Sequence, residues 1–120
     1  MTILNVKRFA ATLLAAALPV LTFSLASNAR AEDLVTVVVM LKNDIFTPAE
    51  VKVAAGRPFT LKVINQDPIA AEIEAKDLKI EKVMAGNSEI TVTVRALEPG
   101  RYLFVNEYKE DTVKGFVVAQ

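Results

Sequence analysis

After residue 31 the chain is broken at short intervals by turn-forming residues, and the segments between the breaks alternate in polarity instead of repeating every three to four residues. Phe59-Thr-Leu-Lys-Val-Ile64 is the clearest case, with Phe59, Leu61 and Val63 falling on one face. Similar short apolar or alternating runs cover residues 34–41, 51–53, 70–75, 80–84, 90–94, 102–105 and 115–119. Thr47-Pro48, Ala55-Gly56-Arg57-Pro58, Gln66-Asp67-Pro68, Ala85-Gly86-Asn87 and Glu98-Pro99-Gly100 supply the turns. A chain so divided has no segment long enough for a stable helix and has to bury its apolar faces sheet against sheet. The pattern predicts an all-β fold, a Greek-key β-sandwich of seven or eight strands. The sequence contains no Cys, so no disulfide holds this domain of about ninety residues and burial has to do so.

The first 31 residues have a different character. Lys7 and Arg8 precede an uncharged stretch from Phe9 to Ala26, and Ala29-Arg30-Ala31 has the small-x-small form read by signal peptidase. The expectation is a signal peptide over residues 1–31, cleaved before Glu32, with residues 32–120 exported and not inserted in the membrane. Removing the segment takes away three of the 14 basic residues and none of the 14 acidic ones, which leaves a net charge of −3. That balance disfavours nucleic acid and anionic membrane as partners.

The composition also limits the chemistry. With neither Cys nor His, the chain has no conventional nucleophile–base triad, and its four Gly residues form no phosphate-cradling loop. No catalytic residue can be named from the sequence. Metal-ligating capacity rests on carboxylates, which suit harder ions than thiolate or thioether does. Glu72 and Glu74 stand two apart on one run and therefore point to one face. A plainer reading makes them the solvated face of a half-buried strand. Glu81 beside Lys82 reads equally as an ion pair, and Asp111 as a turn residue bonded to its own backbone. Met40 and Met84, single residues in apolar runs, read as core filler before they read as thioether ligands. Tyr102 reads as a core residue and Tyr108 as a loop residue.

Phe46-Thr-Pro-Ala-Glu-Val-Lys-Val-Ala-Ala-Gly56, Phe59 to Asn65 with Asp67, Pro99-Gly-Arg-Tyr-Leu-Phe104 and Gly115-Phe-Val-Val118 together resemble the frame of small periplasmic cupredoxins. In that frame the first copper-binding His follows the Asn of the third strand by six or seven residues, which reaches Ala71 or Glu72 here. The later Cys, His and Met positions fall on Asn106, Lys109 and Val113. A type 1 copper site needs those soft and imidazole ligands and is not available to this chain.

A narrower resemblance follows from Glu72-Ile-Glu74, Leu78, Glu81-Lys-Val83, Leu97-Glu-Pro-Gly-Arg-Tyr-Leu-Phe104 and Thr112-Val-Lys-Gly115. These are similar to the cupredoxin-like proteins encoded with bacterial ferrous-iron permease systems. Ile73, Ala75 and Ile80 depart from that family's usual Phe, Ser and Arg, and Asn106-Glu107-Tyr108 replaces one of its paired loop acids by an amide. The resemblance implies a periplasmic accessory protein that binds ferrous iron and assists its oxidation, a ferroxidase component working with a membrane iron permease and its periplasmic or redox subunits. It implies Glu72, Glu74, Glu81, Glu107 and Asp111 as metal ligands, the loop carrying Glu107 and Asp111 returning to the end of the sandwich near Glu72. Copper, outside a type 1 site, is an alternative metal. A non-enzymatic iron or copper carrier and a metal-free docking subunit of the permease complex are alternative functions.

Overall fold

Alternation and β-branching set the strands of this protein, whose computed structural model describes residues 15–17, 19 and 33–120. The expected signal peptide, but for residues 15–17 and 19, and its cleavage point before Glu32 lie outside the described residues. Residues Ala31–Gln120 form one compact unit. Nine strands occur among the described residues. They are β1 (Thr36–Lys42), β2 (Ile45–Thr47), β3 (Glu50–Val53), β4 (Phe59–Asn65), β5 (Ala71–Ala75), β6 (Ile80–Met84), β7 (Ser88–Val94), β8 (Gly100–Asn106) and β9 (Lys114–Ala119). They form a four-stranded sheet in the order β2-β1-β4-β7 and a five-stranded sheet in the order β3-β9-β8-β5-β6. Two 3-10 turns, Lys76–Leu78 and Glu107–Lys109, follow β5 and β8.

The expected all-β sandwich is thus present, with one strand more than the seven or eight foreseen. The extra one is β2, three residues long and pairing with β1 through Leu41↔Phe46 and Lys42↔Ile45. The two-residue turn between them puts Asn43 and Asp44 at φ of 50° and 59°, as a tight hairpin of this length requires. Without a Gly the Asn-Asp pair is a weak turn signal in sequence. It is braced from outside, because the Asp67 carboxylate accepts from the backbone N–H of Asn43 at 2.7 Å and of Asp44 at 3.2 Å.

The inward faces of the two sheets meet in one core that includes Val39, Leu41, Phe46, Leu61, Val63, Ile73, Phe104 and Val117. Removing a side chain of this size from water is worth roughly 1.5–3 kcal/mol. Met84 belongs to the core, as expected, whereas Met40 does not. It alternates outward with Val38 on β1, is 37% exposed, and its sulfur accepts from Gln66 Nε2. Tyr102 packs against the core and donates its hydroxyl to the carbonyl of Glu98 at 2.7 Å.

Phe104 is fully buried and meets Phe46 edge to face, with ring centroids 4.9 Å apart. Its ring lies so close to β9 that a Cβ on Gly115 would fall 2.3 Å from Phe104 Cζ and 3.1 Å from the carbonyl oxygen of Ala49. Phe104 is fully buried, and the Ala49 carbonyl is held by the N–H of Phe116 at 2.8 Å. Gly115→Ala should therefore cost about 1–3 kcal/mol through overpacking. Denaturant unfolding checks this, the expected result being a lower midpoint with an unchanged slope.

Candidate metal centre

Strand β5 lies between β6 and β8, and its alternation sorts five residues onto two faces. Ala71, Ile73 and Ala75 are buried in the core, which leaves Glu72 and Glu74 half-buried on the outer face of the five-stranded sheet. Across the β5–β6 ladder Glu74 stands directly opposite Glu81. On the other side the β5–β8 register pairs Glu74 with Val105 and Ile73 with Asn106. Asn106 therefore turns inward, and the next residue, Glu107, opens a 3-10 turn.

Two neighbouring strands and a turn more than twenty residues further along thus carry their acids to one place. Carboxylate oxygens of Glu72, Glu81 and Glu107 lie within 4.8 Å of one another. A six-coordinate hard cation with metal–oxygen bonds of about 2.1 Å sets its ligand oxygens roughly 3–4.2 Å apart, so small side-chain movements would bring all three onto one ion. Glu74 adjoins the group, near enough to Glu107 for the two carboxyl groups to shift each other's ionisation. Asp111 does not join it; with Glu110 it lines a neighbouring groove of about 340 Å³, whose wall Glu74 shares. The group stands on the outer sheet face, where β5 alternation points it, rather than at the closed end of the sandwich.

The electrostatics show the strain of this arrangement. The hydrogen bond its protonated form donates to Glu74, withdrawal from water and the nearby charge of Glu72 push the Glu107 carboxyl up to about 7. Glu74 moves the opposite way, held below the usual carboxylate range by the hydrogen bond it accepts from Glu107 and then by Lys76, whose ammonium lies 3.2 Å away. Two carboxyl groups with pKa values driven apart share one proton, because like charges this close resist ionising together. Opposed acids across a ladder, as at Glu74 and Glu81, also destabilise a sheet. A bound cation would relieve both costs.

The loops at the end of the sandwich are fastened differently. Buried Asn65 donates to the carbonyls of Ile69 and Ala85 and accepts from the N–H of Asp67, holding the β4–β5 turn against the β6–β7 turn. Buried Asn106 accepts from the N–H of Glu72 at 3.1 Å and of Tyr108 at 3.3 Å. Lys109 makes a 2.6 Å ion pair with Asp44 of the β1–β2 turn, and Tyr108 is exposed.

A family model described as the cupredoxin-like domain matches residues 14–119. The chain belongs to the cupredoxin-like family. Among relatives, an uncharacterized protein of Rickettsia prowazekii is 28% identical over 87 residues, which span 72% of this chain and 70% of that protein. Among solved structures, the metal-binding domain of the Cu(I)-exporting P-type ATPase CopA of Streptococcus pneumoniae, with Cu(I), superposes with a TM-score of 0.63 at 18% identity, over 71% of this chain and 84% of that one. Auracyanin A, a blue copper protein of Chloroflexus aurantiacus, superposes with a TM-score of 0.62 at 17% identity, over 73% of this chain and all of that one.

A type 1 copper ion does not fit this cupredoxin-like chain. Of the positions aligned with its ligands, Ala71 and Val113 are buried apolar residues. Lys109 is spent on Asp44, and the Asn106 oxygen on two backbone N–H groups. No thiolate or imidazole is present to replace them.

Folded, Glu107 keeps its proton to about 7, whereas unfolded it loses it near 4.5. Stability from this group is full below about 4.5 and is lost as pH rises through about 7. A carboxyl-carbon NMR titration should show one Glu titrating near 7. In Glu74→Gln that carboxyl should move back toward the usual range, because an amide donates to the ionised form.

Proposed function

We propose that this cupredoxin-like protein is a periplasmic accessory protein of iron uptake, taking ferrous iron onto Glu72, Glu81 and Glu107, with Glu74 beside them. The observation that carries the reading is the convergence of these acids from β5, β6 and the turn after β8 onto one sheet face. The iron is substrate, not a resident cofactor. All-oxygen ligation stabilises ferric over ferrous iron, so the bound ion is easier to oxidise. One electron leaves the iron for an associated redox subunit, and the ferric ion passes to a membrane iron permease. Binding expels the proton shared by Glu74 and Glu107, so iron uptake strengthens as pH rises through about 7. The resemblance of Glu72-Ile-Glu74, Glu81-Lys82-Val83 and the 97–104 segment to permease-associated cupredoxins supports the iron assignment.

Copper is the second reading, favoured by the Cu(I) held in the similar fold of the streptococcal domain. On this chain it would have to be taken by carboxylate oxygen, which suits the cupric rather than the cuprous ion. A carrier would bind iron without changing its oxidation state, and a docking subunit would bind no metal.

Anaerobic titration of residues 32–120 with ferrous iron tests the proposal. Saturable binding near one equivalent is expected, weakened by at least about tenfold in Glu72→Gln, since loss of a charged ligand removes more than 1.4 kcal/mol. Absence of saturable binding in the wild type would overturn the direct iron site. Faster ferrous oxidation with an added electron acceptor separates the oxidase from the carrier.

A further inference from the structure

The β5–β8 ladder is short: its register runs only through Ile73↔Asn106 and Glu74↔Val105. The next backbone donor of β5 on that side is the N–H of Glu72, which finds no carbonyl of β8. It is taken by the side-chain oxygen of Asn106 at 3.1 Å. The same oxygen accepts from the N–H of Tyr108 at 3.3 Å and so caps the turn that Glu107 opens. Asn106 is 4% exposed, and its own N–H donates to the carbonyl of Val113 at 2.9 Å, closing the loop behind it.

We infer that Asn106 is the positioning residue of the acidic site, its one buried oxygen clamping the two backbone segments from which Glu72 and Glu107 depart. This rests on the reading of those acids as an iron site. Glu81 needs no such help, because the continuous β5–β6 ladder holds it opposite Glu74. Glu107 stands on a three-residue turn outside any ladder, and its distance from Glu72 depends on what joins that turn to β5. Two mutually repelling carboxylates must be kept together before a cation arrives, and hydrogen bonds accepted by a buried amide oxygen from the backbone beside each can hold them there. Partners that orient metal ligands typically contribute 10–100-fold to metal affinity.

The role separates from simple stabilisation of the turn by two variants. Asn106→Leu fills the space but removes the acceptor, whereas Asn106→Asp keeps an acceptor for both N–H groups. In anaerobic ferrous-iron titrations, at a temperature where all proteins are folded, Asn106→Leu should bind about tenfold or more weakly than wild type. Asn106→Asp should bind at least as tightly as wild type. Equal affinity in a folded Asn106→Leu, or a loss in Asn106→Asp matching that of Leu, would overturn the inference while leaving the iron site standing. Absence of iron binding by the wild type would instead overturn the site itself. Should Asn106→Leu fail to fold, amide hydrogen exchange on the wild type decides. Protection of the Glu72 and Tyr108 N–H groups before iron is added, unchanged afterward, supports a clamp already closed; exchange at the free-peptide rate without iron overturns it.

Discussion

Strand β5 is hydrogen-bonded on both sides while one of its faces closes the core, and that double constraint fixes which way each of its side chains points. A shift of one residue would put Glu72 and Glu74 into the core in place of Ile73. Burying two unpaired carboxylates costs far more than any local adjustment could return. Packing of Ile73, Ala71 and Ala75 against Phe104 and its neighbours therefore aims the acids outward as a by-product of core formation. The flanking strands do the rest: β6 delivers Glu81, and β8 ends where its chain must turn and release Glu107.

The acidic group is a conflict that the fold tolerates. Local rules argue against Glu81 opposite Glu74, and against Glu107 within hydrogen-bonding reach of both Glu72 and Glu74. The protein meets the conflict with one retained proton and one exposed lysine, both readily displaced. Violations of local preference that survive in an otherwise consistent fold concentrate at functional sites. The rest of the described domain is consistent in that sense: its two buried amides are hydrogen-bonded, and no buried side-chain N or O among the described residues lacks a partner.

At the end of the sandwich, side chains tie the loops to one another. Asn65 and Asn106 supply buried amides, Asp67 braces the β1–β2 turn, and Lys109 reaches Asp44. Of these, the bond from the Glu72 N–H to Asn106 joins the start of β5 to the end of β8, on which copper-ligand positions of the cupredoxin frame fall, while the others tie in the β1–β2 and β6–β7 turns. The carboxylates of Glu72, Glu81 and Glu107 gather on the adjoining sheet face.

Alternation and turn residues by themselves determined eight of the nine strands, the sandwich architecture and the shared direction of Glu72 and Glu74, because these depend only on local geometry and on which face is apolar. The absence of Cys and His settled in the same way that no type 1 copper site forms. Strand β2 was hidden, since three residues carry no period and its Asn43-Asp44 turn is held by Asp67, more than twenty residues away in sequence. Met40 read as core because residues 37–41 are all apolar, and only the packing of the sheets shows which face of β1 is covered. Glu81 and Glu107 could be named, but their convergence with Glu72 and the separation of Asp111 depend on strand order. The inward turn of Asn106 is set by β8 register and by where the β5–β8 ladder ends. Pairing partners are chosen by the burial of the whole core, a long-range free energy that no local stretch of sequence carries.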